Sequence, residues 1–170
     1  VGDVSTSEPP PPPPADGAVD GGIRWLDDDE QRAWRSFLDG SALLSERLDR
    51  VLGAAKLSLA EYEILVRLSE RPCHELRMSE LAAAVVHSKS RLTHTVSRME
   101  SAGLVRRVAT PDDRRGVLCR LTCDGEGLLA RTAPLHVTSV REALLDAMTR
   151  EEFLTLGTAM GRVAQRLREG

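Results

Sequence analysis

Residues 78–122 read MSELAAAVVHSKSRLTHTVSRMESAGLVRRVATPDDRRGVLCRLT, and a change of period inside this stretch decides the fold. From Ser79 to about Val85, Leu81, Ala82 and Val85 recur at helical spacing; from Ser88 to Ala102, Leu92, Val96 and Met99 do so at i, i+4 and i+7. Gly103 is placed to end the second helix in the left-handed conformation, which a residue without Cβ adopts at little cost. Leu104 to Val108 and Val117 to Leu121 are β-prone and flank Thr-Pro-Asp-Asp-Arg-Arg-Gly, so they predict a hairpin with an exposed charged tip. Two short helices joined by Val86-His87-Ser88 and followed at once by a basic hairpin have the order of a helix-turn-helix with a wing.

Longer helices flank this core. Asp27 and Glu30 stand at capping-box spacing and open a helix running towards Gly53, with Trp34, Phe37, Leu38, Leu44, Leu48, Val51 and Leu52 as its apolar stripe. Ser58 and Glu61 form a second capping box, followed by Ile64, Leu65 and Leu68, and Pro72 forbids continuation. Thr122 caps a long helix towards Met148. Thr149 and Glu152 then cap another, in which Phe153, Leu156, Met160, Val163 and Leu167 recur every 3 or 4 residues. The first and last stripes are too long for one small domain to cover and imply a partner helix. Pro9 to Pro14 lie among Ser, Asp, Gly and Ala, a composition that cannot bury enough apolar surface to offset ordering. The predicted organisation is a disordered Pro-rich tail over 1–22, an N-terminal helix over 23–56, a winged helix-turn-helix lobe over 57–122 and C-terminal helices over 123–170. The fold class is mainly α with a small β-hairpin wing.

Charge is informative only by region. The net charge is -3, yet the segment from Arg77 to Arg120 carries nine Lys or Arg against four Asp or Glu, a balance of +5, while the remainder stands at -8. A basic middle on an acidic frame suits a surface that faces phosphates. On the second short helix Leu92, Val96 and Met99 point inward, leaving Ser88, Lys89, Ser90, Arg91, Thr93, His94, Ser97 and Arg98 available to DNA. The short hydroxyls allow close approach, and Lys89 and Arg91 can reach guanine or phosphate. At the hairpin tip, Asp113, Arg114 and Arg115 occupy a short loop; Arg115 is expected to enter a minor groove, with Asp113 orienting it.

The run from Met78 to Thr122 resembles the winged helix-turn-helix core of MarR-family regulators. Members show a Ser-rich start to the recognition helix, a Leu-x-x-x-Gly-Leu-Val exit, and Asp-x-Arg followed by Leu-Thr. Here the exit reads Met99-Glu100-Ser101-Ala102-Gly103-Leu104-Val105, with Met in the usual Leu place, and Asp113, Arg115, Leu121 and Thr122 match the wing signature. The order of the flanking helices agrees over nearly everything after residue 24. The resemblance implies a homodimer built from the first and last two helices, recognition helices in successive major grooves of a pseudo-palindromic operator, and a repressor. Many members release DNA on binding a small phenolic or anionic ligand between the dimer helices and the DNA-binding lobe. Trp34, Phe37, Tyr62, Arg67 and His136 are where such a pocket would be sought, although buried packing of the aromatics is the commoner reading of those residues.

Other function classes find less support. Cys73, Cys119 and Cys123 form no CxxC pair, and their odd number argues against a disulfide framework; buried packing is expected of Cys119 and Cys123. His87 and His94 lie seven apart and His74 and His136 have no local ligand partner, so no metal is assigned. There is no phosphate-binding glycine loop, no HExxH and no nucleophile elbow, hence no catalytic residue and no cofactor. No apolar run approaches the roughly 18 residues of a membrane span and no signal-peptide pattern opens the chain, so the expected location is cytoplasmic. The rival class is a helical dimeric interaction protein without sequence-specific DNA binding, which would leave the basic hairpin unexplained.

Overall fold

The computed structural model describes residues 19–20, 22–85, 89–110 and 113–169, with backbone alone at 19, 20, 89, 110 and 113–115. Residues 1–43 and 44–170 form two compact units, each described by itself. In the first, a two-residue hairpin pairs β1 (Val19–Asp20) with β2 (Ile23–Arg24), across the expected end of the tail at residue 22. Helix α1 (Asp28–Gly53) begins where the spacing requires. The Asp27 N–H donates to Glu30 Oε2 at 3.1 Å and the Glu30 N–H to Asp27 Oδ1 at 2.8 Å, closing the capping box. Trp34 and Phe37 stack on α1 with centroids 5.8 Å apart.

In the second unit, α2 (Leu59–Ser69) follows its own capping box: the Ser58 N–H donates to Glu61 Oε2 at 2.9 Å and the Glu61 N–H to Ser58 Oγ at 3.3 Å. Asp49 of α1 also accepts the Leu59 N–H at 2.6 Å, satisfying another donor of that first turn. After a 3-10 turn at Pro72–His74 come β3 (Glu75–Arg77), α3 (Met78–Ala84) and α4 (Lys89–Ser101). Next are β4 (Val105–Thr110), β5 (Asp113–Leu121), α5 (Cys123–Ala143) and α6 (Arg150–Glu169). The strands form an antiparallel sheet in the order β3-β5-β4. The hairpin expected from sequence therefore has a third strand, with Glu75 opposite Arg120 and Arg77 opposite Leu118.

The core lies where α2, α3 and α4 meet this sheet. Ile64, Leu65 and Leu68 of α2, Leu81 of α3, Leu92, Val96 and Met99 of α4, and Val105 and Cys119 of the sheet are all buried in one cluster. Each fully buried Leu or Ile contributes about 1.5–3 kcal/mol relative to exposure, which holds α3 and α4 to α2 despite their short lengths. The outer helices differ. On α6, Leu156, Met160, Val163 and Leu167 are exposed, whereas the α1 stripe divides, with Trp34, Phe37 and Leu38 exposed and Leu48 and Leu52 buried. None of the helices described is long and apolar enough to cross a membrane.

Candidate nucleic-acid interface

Helix α4 divides as its periodicity requires. Leu92, Val96 and Met99 are 1%, 0% and 1% exposed, whereas Ser90, Arg91, Thr93, His94 and Arg98 are exposed. Thr95 sits between the two faces, and its buried hydroxyl donates to the Arg91 carbonyl at 3.1 Å. Lys89 opens the helix, while Ser88 and the Val86-His87-Ser88 turn lie outside the described residues. Arg98 also reaches the side of α2, donating to Glu61 Oε1 at 3.1 Å. Glu61 thus caps α2 through one oxygen and grips α4 through the other.

The exit from α4 is a Schellman motif. Gly103 has φ +74°, its N–H donates to the Glu100 carbonyl at 3.0 Å, and the Leu104 N–H donates to the Met99 carbonyl at 2.9 Å. Leu104 then packs against the core that holds Met99. This reversal delivers the chain directly into β4. The other end of the hairpin is fixed by Thr122, whose hydroxyl donates towards the Gly103 and Leu104 carbonyls at 2.6 and 3.0 Å and accepts the Gly125 N–H at 3.0 Å. One side chain closes the base of the wing and caps α5.

The wing itself corrects the expected boundaries. β4 extends to Thr110 and β5 starts at Asp113, so Asp113 is a strand residue paired with Thr110 and the connection shrinks to residues 111–112. The register then jumps, because Ala109 pairs with Val117 and Thr110 with Asp113. Arg114, Arg115 and Gly116 consequently stand between paired positions of β5 with no counterparts on β4, a bulge that breaks the ladder and re-aims the local backbone. The turn-like composition of this segment concealed the pairing; a bulge keeps residues near a strand end without demanding regular alternation.

Ion pairs tie the sheet to its neighbours. The Arg120 guanidinium donates through Nε to Glu75 Oε2 at 2.6 Å, across the β3–β5 pairing. His74 Nδ1 meets Glu126 in the first turn of α5. Arg107 of β4 donates its backbone N–H to Glu100 Oε1 at 2.7 Å, its Nε to Glu100 Oε2 at 2.8 Å and an Nη to Ser97 Oγ at 3.0 Å. These bonds, the backbone one foremost, hold the Glu100 carboxyl below its ordinary range. Ser97 therefore faces the wing strand. Arg106, exposed beside Arg107, adds a cation that periodicity alone did not single out.

The remaining sequence candidates fall into separate places. The rings of Tyr62 and His136 lie 4.4 Å apart, and His136 Nδ1 is buried without a hydrogen-bond partner. Burial pushes the Tyr62 hydroxyl up and the His136 ring down from their ordinary values. Arg67 faces the carboxylates of Glu63 on its own helix, at 3.7 Å, and of Glu70 at the helix C-cap, at 3.9 Å. Cys119 is fully buried, with its thiol pushed up to about 12 by burial. Cys123 is exposed, contrary to the expected packing, because the first residue after the Thr122 cap faces outward. Among the described residues no three His, Cys, Asp or Glu gather as a metal site.

Comparisons with known proteins agree with this geometry. The model of the MarR family matches residues 57–117. The transcriptional regulator PecS of Dickeya dadantii is 34% identical over 128 residues, covering 75% of this chain and 76% of that protein. The crystal structure of AbsC, a MarR family transcriptional regulator from Streptomyces coelicolor, superposes with a TM-score of 0.83 at 43% identity, over 87% of this chain and all of that one. Sco3205 from the same organism, solved in complex with DNA, gives a TM-score of 0.82 at 44% identity, over 84% of this chain and 94% of that one.

Proposed function

The chain belongs to the MarR family of transcriptional regulators, and from that premise we propose that it is a homodimeric repressor of a pseudo-palindromic operator. One observation carries the reading: α4 is held by three buried residues while its polar face stays exposed, next to a wing whose bulge carries two arginines. Ser88, Lys89, Ser90, Arg91, Thr93, His94 and Arg98 contact the major groove and its flanking phosphates. Asp113, Arg114 and Arg115 serve the minor groove, Arg115 inserting and Asp113 orienting it. Sco3205, similar over most of this chain, binds DNA in its crystal structure.

Residues 57–122 act as the DNA-binding lobe, and 23–56 and 123–170 as dimerisation helices. The uncovered apolar residues of α6 support this division, since an exposed stripe of that length is more stable against another helix than against water. Two lobes related by a two-fold axis would read half-sites with centres about one helical turn, roughly 10 bp, apart. A small phenolic or anionic effector that releases DNA is part of the same proposal. The paired Tyr62 and His136 rings, with the orphaned His136 Nδ1, supply an aromatic wall and a polar group of the kind such a ligand would use.

The test is Arg115→Ala, with affinity measured against salt on an operator recovered by selection. Loss of a minor-groove arginine is expected to weaken binding on operator and unrelated duplexes alike and to reduce the salt slope by about one. An unchanged slope and affinity would remove Arg115 from the interface. Failure to prefer any sequence at all would favour the helical interaction protein.

A further inference from the structure

We propose that Glu100 and Arg107 are positioning residues that fix the angle between α4 and the wing, and that this angle, rather than any contact of their own with DNA, sets operator discrimination. The inference rests on the DNA-binding reading above and adds the device that aligns its two reading elements.

The need for such a device lies in the chain itself. α4 ends at Ser101 and β4 begins at Val105, so the link is short but contains Gly103, a residue without Cβ in the left-handed region. The Schellman bonds hold the backbone at Gly103 and Thr122 closes the hairpin base, but these bonds do not join the side chains of α4 to the body of β4. Glu100 and Arg107 lie on opposite sides of that link. The carboxylate takes a backbone N–H on one oxygen and the guanidinium on the other, and Ser97 one turn earlier accepts a further Nη. The clamp therefore grips the last turn of α4 at two successive levels. Across the hairpin Arg107 is opposite Cys119, which is fully buried, while the Arg107 and Glu100 side chains themselves stay 35% and 34% exposed. The hold of the clamp comes from three bonds made by one residue, charge-assisted at the carboxylate, rather than from burial.

Simultaneous readout of both grooves requires one relative orientation, whereas phosphate contacts tolerate a range of them. A loosened clamp would thus weaken the operator complex more than the complex with unrelated DNA. It also reverses the usual charge argument. Removing a carboxylate from a DNA-facing lobe ordinarily strengthens binding to every sequence.

The experiment measures binding of the full chain to a selected operator and to an unrelated duplex of equal length, across several salt concentrations. Wild type is compared with Glu100→Gln, Arg107→Gln, the double variant and Arg107→Lys, and each is checked for its thermal midpoint. Glu100→Gln is expected to lower the operator-to-unrelated affinity ratio about tenfold, within the range that coupled neighbours show, with the salt slope unchanged. The double variant should lose no more than either single one. Arg107→Lys keeps both charges but loses the guanidinium's simultaneous grip on Glu100 and Ser97, and should lower the ratio by a smaller factor with the salt slope unchanged, so the claim stands or falls on it even where a charge-removing variant unfolds. Equal strengthening on both duplexes by Glu100→Gln would overturn the clamp, as would a salt slope reduced by about one in Arg107→Gln, which would mark a phosphate contact. A wild type with no preference would defeat the DNA-binding reading itself; a wild type with preference and unaffected variants would defeat the clamp alone.

Discussion

Replacing Gly125 by Ala sets helix propensity against packing, and the structure decides the sign. Gly125 lies in the first turn of α5, donates its N–H to Thr122 Oγ1 at 3.0 Å, and rests against the base of the wing. A Cβ at this position would overlap the Leu104 carbonyl oxygen and come within 2.7 Å of Leu121 Cδ1 and 3.1 Å of the Leu104 carbonyl carbon. The Leu104 oxygen cannot retreat freely, because it accepts both the Thr122 N–H at 3.1 Å and the Thr122 hydroxyl at 3.0 Å. Alanine should gain up to about 1 kcal/mol over glycine inside a helix, while forcing a methyl into fixed backbone costs about 3 kcal/mol at the upper end of the usual overpacking range. The net expectation is a destabilisation of about 2 kcal/mol, or roughly 4–8 °C in the thermal midpoint for a chain of this size. Gly127→Ala is the internal control. Its Cβ would meet only Arg131 Nη1 at 3.3 Å, the far end of a flexible side chain, so it should be neutral or stabilising by up to about 1 kcal/mol. Urea unfolding at one fixed protein concentration would read both variants, since an associating chain has a concentration-dependent midpoint. A Gly125→Ala midpoint equal to or above that of wild type would refute the packing argument, and with it the assigned fit between wing and α5.

Three further expectations follow from burial and charge. In the native protein a thiol reagent at pH 8 should titrate Cys73 and Cys123 but spare Cys119, whose thiol is pushed up to about 12, and the third equivalent should appear only on unfolding; rapid reaction of all three would contradict the core. His136 has a folded pKa below its ordinary value of 6.5, so the unfolded chain binds the proton first and this group removes stability as pH falls through 6.5 towards the folded value. His136→Phe should flatten that part of the stability profile, and an unaltered profile would show that the ring is accessible to protons. The paired substitution Met160→Glu with Val163→Glu puts charge into the exposed stripe of α6 and should give a monomer in sedimentation, with operator binding lost. A dimer that survives both changes would move the interface elsewhere.

Much of this architecture was legible because it is local. The capping boxes at Asp27 and Glu30, Ser58 and Glu61, and Thr149 and Glu152 are fixed by three-residue spacing, and all three form the expected reciprocal bonds. The inward face of α4 follows from period alone, and Gly103 ends that helix as its position predicts. What escaped is non-local. Glu75-Leu76-Arg77 is too short to announce a strand and becomes one only by pairing with β5. Residues 110–116 look like a turn, yet Asp113 pairs with Thr110 and the extra residues are taken up by a bulge. Glu61–Arg98, His74–Glu126 and Glu100–Arg107 cross element boundaries, where neither the i+3 nor the i+4 rule applies.

The most direct test of the central claim is to incubate the purified chain with a library of genomic DNA fragments at two salt concentrations and sequence those retained. Sequence-specific binding by a two-fold symmetric dimer predicts enrichment of one pseudo-palindrome, half-site centres roughly 10 bp apart, and retention that falls steeply as salt rises. Retention without enrichment at either salt concentration would contradict it and leave a basic lobe that binds DNA by charge alone.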